Sequence, residues 1–92
     1  PRVPRRDAVK VFRTQMRRDE LLAGALSNLS GYLCVQKKFE DARPLALEAM
    51  EIFRRELGKV NSYTKNAFAN YCTILRELKR EQDIKDLEAD WD

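Results

Sequence analysis

Asn28 and Asn70 each combine a carbonyl acceptor with an amide donor, so each can pair with the backbone of an extended peptide whatever that peptide's side chains. The same groups can instead bond to an adjacent helix or loop and hold it in register, since buried polar groups find partners. Ser27, Asn66 and Thr73 add hydrogen-bonding groups, and Arg76 with Lys65 offers positive charge to a carboxylate, although solvated helix charges are the commoner explanation of such cations. Catalytic chemistry has no comparable support. The chain has no histidine, and its two cysteines, Cys34 and Cys72, lack CxxC spacing. That removes the usual zinc sites, any His-based triad and the commonest general base. Without a Gly-rich phosphate loop or clustered ligands, the remaining Ser, Cys and carboxylate residues are surface and packing residues. No catalytic residue, metal site or cofactor is expected, and both cysteines are expected to be reduced packing residues.

Ninety-two residues form one small domain with little room for a deep enclosed site. Charged residues make up 36% and apolar ones 43%, with three Gly and three Pro, a balance typical of a helix-rich soluble chain. The uncharged run that opens at Leu21 and closes at Lys37 is too short and too polar to span a bilayer. No secretory signal is visible, so the expectation is a cytoplasmic protein. The chain begins at Pro1 rather than Met, which is expected of a fragment. Charge is divided along it: residues 1–18 hold seven Lys/Arg against one Asp, and residues 19–92 eleven against fourteen acids. Such polarity favours head-to-tail contacts or acidic partners at the basic end.

The elements that must position these groups are helices. "PRVPRR", residues 1–6, has no periodic apolar face and is expected to be an extended arm. Asp7 can cap a helix over 7–18 carrying Val9, Phe12 and Met16, and Asp19 can cap the next, with one continuous helix through Arg18 as the competing arrangement. Leu22, Ala25, Leu26, Leu29 and Leu33 then follow helical spacing to about Gln36. A further helix from about Phe39 to Leu57 has Pro44 in its first turn, where a missing amide costs little, and Gly58 as its stop. Asn61 or Ser62 can cap a helix carrying Tyr63, Ala67, Phe68, Tyr71, Cys72, Leu75 and Leu78, and a last short helix from about Gln82 carries Ile84, Leu87 and Trp91. No segment alternates with period two. The product is all-α: about five helices in antiparallel succession.

At an offset of 42 residues, "ALSNLSGYL" from Ala25 lies over "AFANYCTIL" from Ala67. Ala25 meets Ala67, Asn28 meets Asn70, Ser30 meets Cys72, Leu33 meets Leu75, and Lys37 meets Lys79. Small residues at fixed places in a helical hairpin let its helices approach, and a repeated hairpin stacks into a solenoid. "ALSNLSGYLCVQKKFEDARPLALEAMEIFRRELG" resembles a tetratricopeptide repeat of the long, kinesin-light-chain type, and "NYCTILRELKREQDIKDLEADW" is similar to the closing repeats of such arrays. Leu33 replaces the family's usual tyrosine, Lys37 its turn glycine and Ala46 a large residue. Glu81 stands for an aromatic and Ile84 for an alanine, so the last helix can pack loosely or serve as a cap.

The resemblance implies a short right-handed superhelical solenoid. It divides the chain into a helix of a partial preceding repeat at 7–18 ("AVKVF" resembling "AMEIF"), a full repeat at 20–58, and a second repeat with cap at 62–92. It also implies a non-catalytic protein–protein interaction module that captures a peptide or protein on the concave face lined by the first helix of each repeat, part of a larger scaffold or regulatory protein. Asn28 and Asn70, with Asn66, Ser27, Gly31, Thr73 and Arg76, flank the core stripe of those helices and are the expected partner-binding residues. The partner would be extended or acidic. Two alternatives remain. Apolar stacking surfaces around Phe12 and Met16 at one end, and Ile84, Leu87 and Trp91 at the other, can support a homodimer. The arginines at 2, 5, 6, 13, 17 and 18 can neutralise nucleic-acid phosphates, but the aromatic interleaving and recognised motifs of such proteins are absent.

Overall fold

The computed structural model describes the backbone of residues 2–91 and the side chains of residues 18–91. Its helices are α1 (Arg2–Val35), α2 (Phe39–Leu57), α3 (Ser62–Glu77) and α4 (Glu81–Trp91), with no strand among the described residues. Four helices therefore stand where five were expected. Residues 2–6 of the expected arm and the expected separate helix at 7–18 both lie within α1. Pro4, the third residue of α1, loses no intrahelical bond there, and from Arg5 to Ala23 the chain contains no Gly or Pro to stop a helix. Asp19, a good cap where a chain turns, is flanked by Arg18, Glu20, Leu21 and Leu22, all good helix formers, and lies inside the helix. The packing of Phe12 and Met16, and the arginines at 2, 5, 6, 13 and 17, lie outside the described side chains.

Helix ends repeat with the sequence period. After α1, Lys37 takes the left-handed conformation (φ 61°), its amide bonding to the Cys34 carbonyl at 2.9 Å and the Lys38 amide to the Leu33 carbonyl at 2.8 Å. After α3, Lys79 does the same (φ 58°), its amide bonding to the Arg76 carbonyl at 3.0 Å and the Arg80 amide to the Leu75 carbonyl at 2.8 Å. Both are Schellman caps built on a lysine instead of the usual glycine. Gly58 ends α2 at φ 84°, ψ 161°, a combination essentially restricted to glycine, and its amide bonds to the Arg54 carbonyl. Asn61 caps α3, its side chain accepting from the Tyr63 amide at 2.9 Å.

Pro44 departs from expectation. The helix starts at Phe39, so the proline is its sixth residue, beyond the first turn, and leaves the Glu40 carbonyl without its helical donor. Both residues are exposed, which lets water satisfy that carbonyl and lowers the cost.

Each helix packs on the next, and α1 also meets α3. Close approach rests on small side chains: Ala23 and Ser30 of α1 and Ala42 and Ala46 of α2 are all fully or almost fully buried. Met50, Ile52 and Phe53 of α2 join Ala67, Tyr71, Ile74 and Leu75 of α3 in the same core. At the far end only Ile84 of α4 is fully covered, with Leu87 and Trp91 partly so. Trp91 lies against Phe68 (centroids 4.5 Å apart) and beneath the Arg54 guanidinium, which donates to the Trp91 carbonyl at 3.2 Å. Burial against the stack, with cation–π attraction, makes Trp91 the residue that fastens α4.

Candidate functional site

Beside the core-facing stripe of α1 runs a second flank bearing Glu20, Gly24, Ser27 and Asn28. Across from it stand Tyr63, Asn66 and Ala67 at the start of α3, and Phe53 and Leu57 at the end of α2 close one side. Together with Leu21 and Ala25 they enclose a groove of about 650 Å³. A Cβ at Gly24 would meet nothing within 4 Å, so the glycine faces open space. Phe53 and Tyr63 form one wall, their rings stacked at 5.7 Å and 18°. The Asn61 cap fixes the backbone of that same tyrosine.

The groove's interior is apolar, and its polar groups are few. Asn28 and Asn66 are exposed on facing helices, and neither side chain makes a hydrogen bond among the described residues. Both amides are therefore available to a ligand. Among the described residues, Glu20 is the single charged one in the lining. Among the described residues there is no group of three or more His, Cys, Asp or Glu arranged to hold a metal, and no helix is long and apolar enough to cross a membrane.

Residues 22–62, from α1 through α2 to the first residue of α3, match the family model of the tetratricopeptide repeat. That segment is similar to a tetratricopeptide-repeat unit. Repeats of this family generally mediate protein–protein interaction. The matched tetratricopeptide unit is the α1–α2 hairpin, and the groove lies where it meets α3. Compared with curated proteins and with solved structures, the chain has no significant match.

Of the residues expected to bind a partner, the tetratricopeptide groove gathers Ser27, Asn28 and Asn66 and leaves the others outside its lining. Asn70 is half-buried, and its amide donates to the Ser30 hydroxyl at 3.5 Å, a long bond linking α3 to α1. Equivalent in sequence, Asn28 and Asn70 thus differ in surroundings: one faces solvent and the other a neighbouring helix. Gly31 borders open space, Thr73 is exposed and bonds back to the Ala69 carbonyl at 2.9 Å, and Arg76 is exposed near the end of α3. Sequence reasoning missed Glu20, Leu21, Phe53, Leu57 and Tyr63. The signal available for the last two was the turn "LGKVNSY", whose flanking residues must wall any cleft between hairpins.

Cys34 and Cys72 are free thiols. Burial pushes both above the ordinary value of 9.0, with a Ser30 hydrogen bond opposing the rise at Cys34, and with Glu88 adding to it and Arg76 opposing it at Cys72. Thiols shifted in this direction are poor nucleophiles at neutral pH.

Proposed function

We propose that the chain is a non-catalytic interaction module that holds an extended peptide segment of a protein partner in the groove between α1 and α3. The observation that carries this reading is the pairing of two exposed amides, Asn28 and Asn66, on opposite sides of an apolar cleft. Such amides bond to a peptide backbone, and the apolar walls take its side chains. In this reading the groove is part of the concave face of a right-handed solenoid. Among the described residues Glu20 is the only charge in the lining, so there an uncharged or cationic apolar segment suits the groove better than the acidic one expected from the arginines and lysines.

The test begins with peptides selected on the 92-residue chain from a random-sequence display library, followed by calorimetric titration. Combined Asn28→Ala and Asn66→Ala is expected to weaken binding about tenfold or more, the worth of two backbone hydrogen bonds. Asn70→Ala is expected to change it by less than about threefold, since that amide serves the α1–α3 contact. Undiminished binding by the double variant would refute the site.

A further inference from the structure

The two ends of the groove differ in chemistry. Asn70 of α3 reaches Ser30 of α1, 40 residues back in the chain, so the two helices lie side by side with about that offset. The same offset sets Glu20 level with the turn just ahead of Tyr63, while Asn28 and Asn66 lie further along. Glu20 is partly exposed and has no ion pair or hydrogen bond among the described residues. Arg18 and Lys65, next to the lining residues in sequence, do not line the groove themselves, because neighbours one or two apart on a helix face different ways. Stacking on Phe53 occupies one face of the Tyr63 ring and leaves the other open: Phe53 is 7% exposed and Tyr63 63%. A carboxylate and an open aromatic face at one end of an apolar cleft are the two groups that hold a guanidinium, by charge-assisted hydrogen bonds and by stacking.

We infer that this end of the groove is an arginine subsite: the partner's segment places one arginine between Glu20 and Tyr63, with apolar neighbours against Leu21 and Leu57. The inference rests on the groove being the peptide site and adds to it the residue that sets specificity. Asn28 and Asn66 pair with any backbone, so they select neither the sequence of the segment nor the direction in which it lies. A charge confined to one end selects both. Arginine suits the place better than lysine. Its planar group covers a ring, meets a carboxylate with two parallel donors, and is more weakly hydrated than an ammonium, so it leaves water at less cost. An acidic residue there would face Glu20, and like charges brought together at an interface repel.

The test takes peptides selected on the 92-residue chain from a random-sequence display library and remakes each with its arginine replaced by citrulline, the neutral isostere. Arginine is expected to recur at one position of the selected segments. Citrulline is expected to weaken binding about five- to tenfold in calorimetric titration, the worth of an exposed ion pair with a cation–π contact. Glu20→Gln, at a partly exposed position where glutamine keeps the helix, is expected to weaken the arginine peptide about fivefold and to leave the citrulline peptide unchanged. Tyr63→Leu, which retains an apolar wall, is expected to reduce the preference for arginine over lysine at that position. Selected segments without a recurring arginine, or an arginine-to-citrulline ratio that Glu20→Gln leaves unchanged, would overturn the inference. In either case, combined Asn28→Ala and Asn66→Ala separates the two readings. A loss of affinity leaves the groove as the peptide site and removes the arginine subsite alone, whereas unchanged affinity removes both. A chain that selects no peptide also removes both.

Discussion

Helices α1 and α3 are the same unit in two settings. Both end in a lysine-based Schellman cap, and both place a small residue, Ser30 or Cys72, at the same buried position. They differ on one face. Tyr32 is exposed while its counterpart Ile74 is completely covered. Burial is therefore a property of neighbours: the same repeat positions are core when α2 lies on them and surface when nothing among the described residues does. The largest test of that contrast is truncation at the paired positions. Ile74→Ala is expected to cost about 3–4 kcal/mol, the transfer loss plus an unrelaxed cavity, whereas Tyr32→Ala is expected to cost about 0.5 kcal/mol or less, as surface changes do. Urea denaturation with an unchanged m-value measures both. Equal losses at the two positions would break the comparison, because Tyr32 would then have to be packed in the free chain.

How far the sequence foretold this arrangement depends on the range of each signal. The 42-residue period was legible because it is carried by packing residues: Ala25 with Ala67 and Ser30 with Cys72 must stay small wherever helices touch. Helix starts at Phe39 and Ser62 were legible too, being set by local breakers and caps. The choice between a break at Asp19 and one continuous helix, both of which the sequence allowed, was not, since Asp19 caps a helix or sits within one according to whether the chain turns there, and that is decided by what packs nearby. Pro44 was misplaced by one turn for the same reason: proline discourages a helix interior without forbidding it where the freed carbonyl reaches water. At the groove, Asn28 and Asn70 occupy one repeat position and are indistinguishable in sequence. Only the presence of α1 beside Asn70, with Ser30 within bonding distance, separates them. Leu57 and Tyr63 went unnoticed because the cleft forms between hairpins, and a pattern read within each hairpin does not describe the gap between them.

A smaller effect sharpens the likeness of the two helices. Lys37 and Lys79 hold left-handed backbone at φ 61° and 58°, a conformation that costs a residue with a Cβ about 1–2 kcal/mol. Glycine relieves that strain but loses more entropy on folding, by about 0.5–1 kcal/mol. Lys37→Gly and Lys79→Gly are each expected to stabilise the chain by about 0.5–1 kcal/mol, nearly equally and additively, because the caps lie on separate turns. Thermal denaturation of the two single variants and the double variant checks this. A gain at one lysine and a loss at the other would show that the caps are alike in geometry but not in energy.

The smallest effect concerns the one buried pair position where the two units differ in ionisable chemistry. Ser30 does not titrate in the accessible range, but Cys72, its counterpart, does, and burial with the nearby Glu88 raises its pKa above the ordinary 9.0. The folded chain thus favours the protonated thiol more than the unfolded chain does. Its contribution to stability is complete below pH 9.0 and is lost as pH rises from there through the raised folded value. Cys34, half-buried and bonded to Ser30, shifts in the same direction with that bond opposing the rise. Tyr71, whose ordinary value is 10.0, adds its own loss at higher pH because burial raises it as well. Between pH 9.0 and 10.0 the stability of the native chain is therefore expected to fall, and Cys72→Ser is expected to make that decline shallower than it is in the native chain. Unfolding free energies at pH 8, 9 and 10 on both proteins measure it. An unchanged slope in the variant would mean that the Cys72 thiolate is accommodated in the fold, and that the interior of α3 is wetter than its close contact with α2 implies.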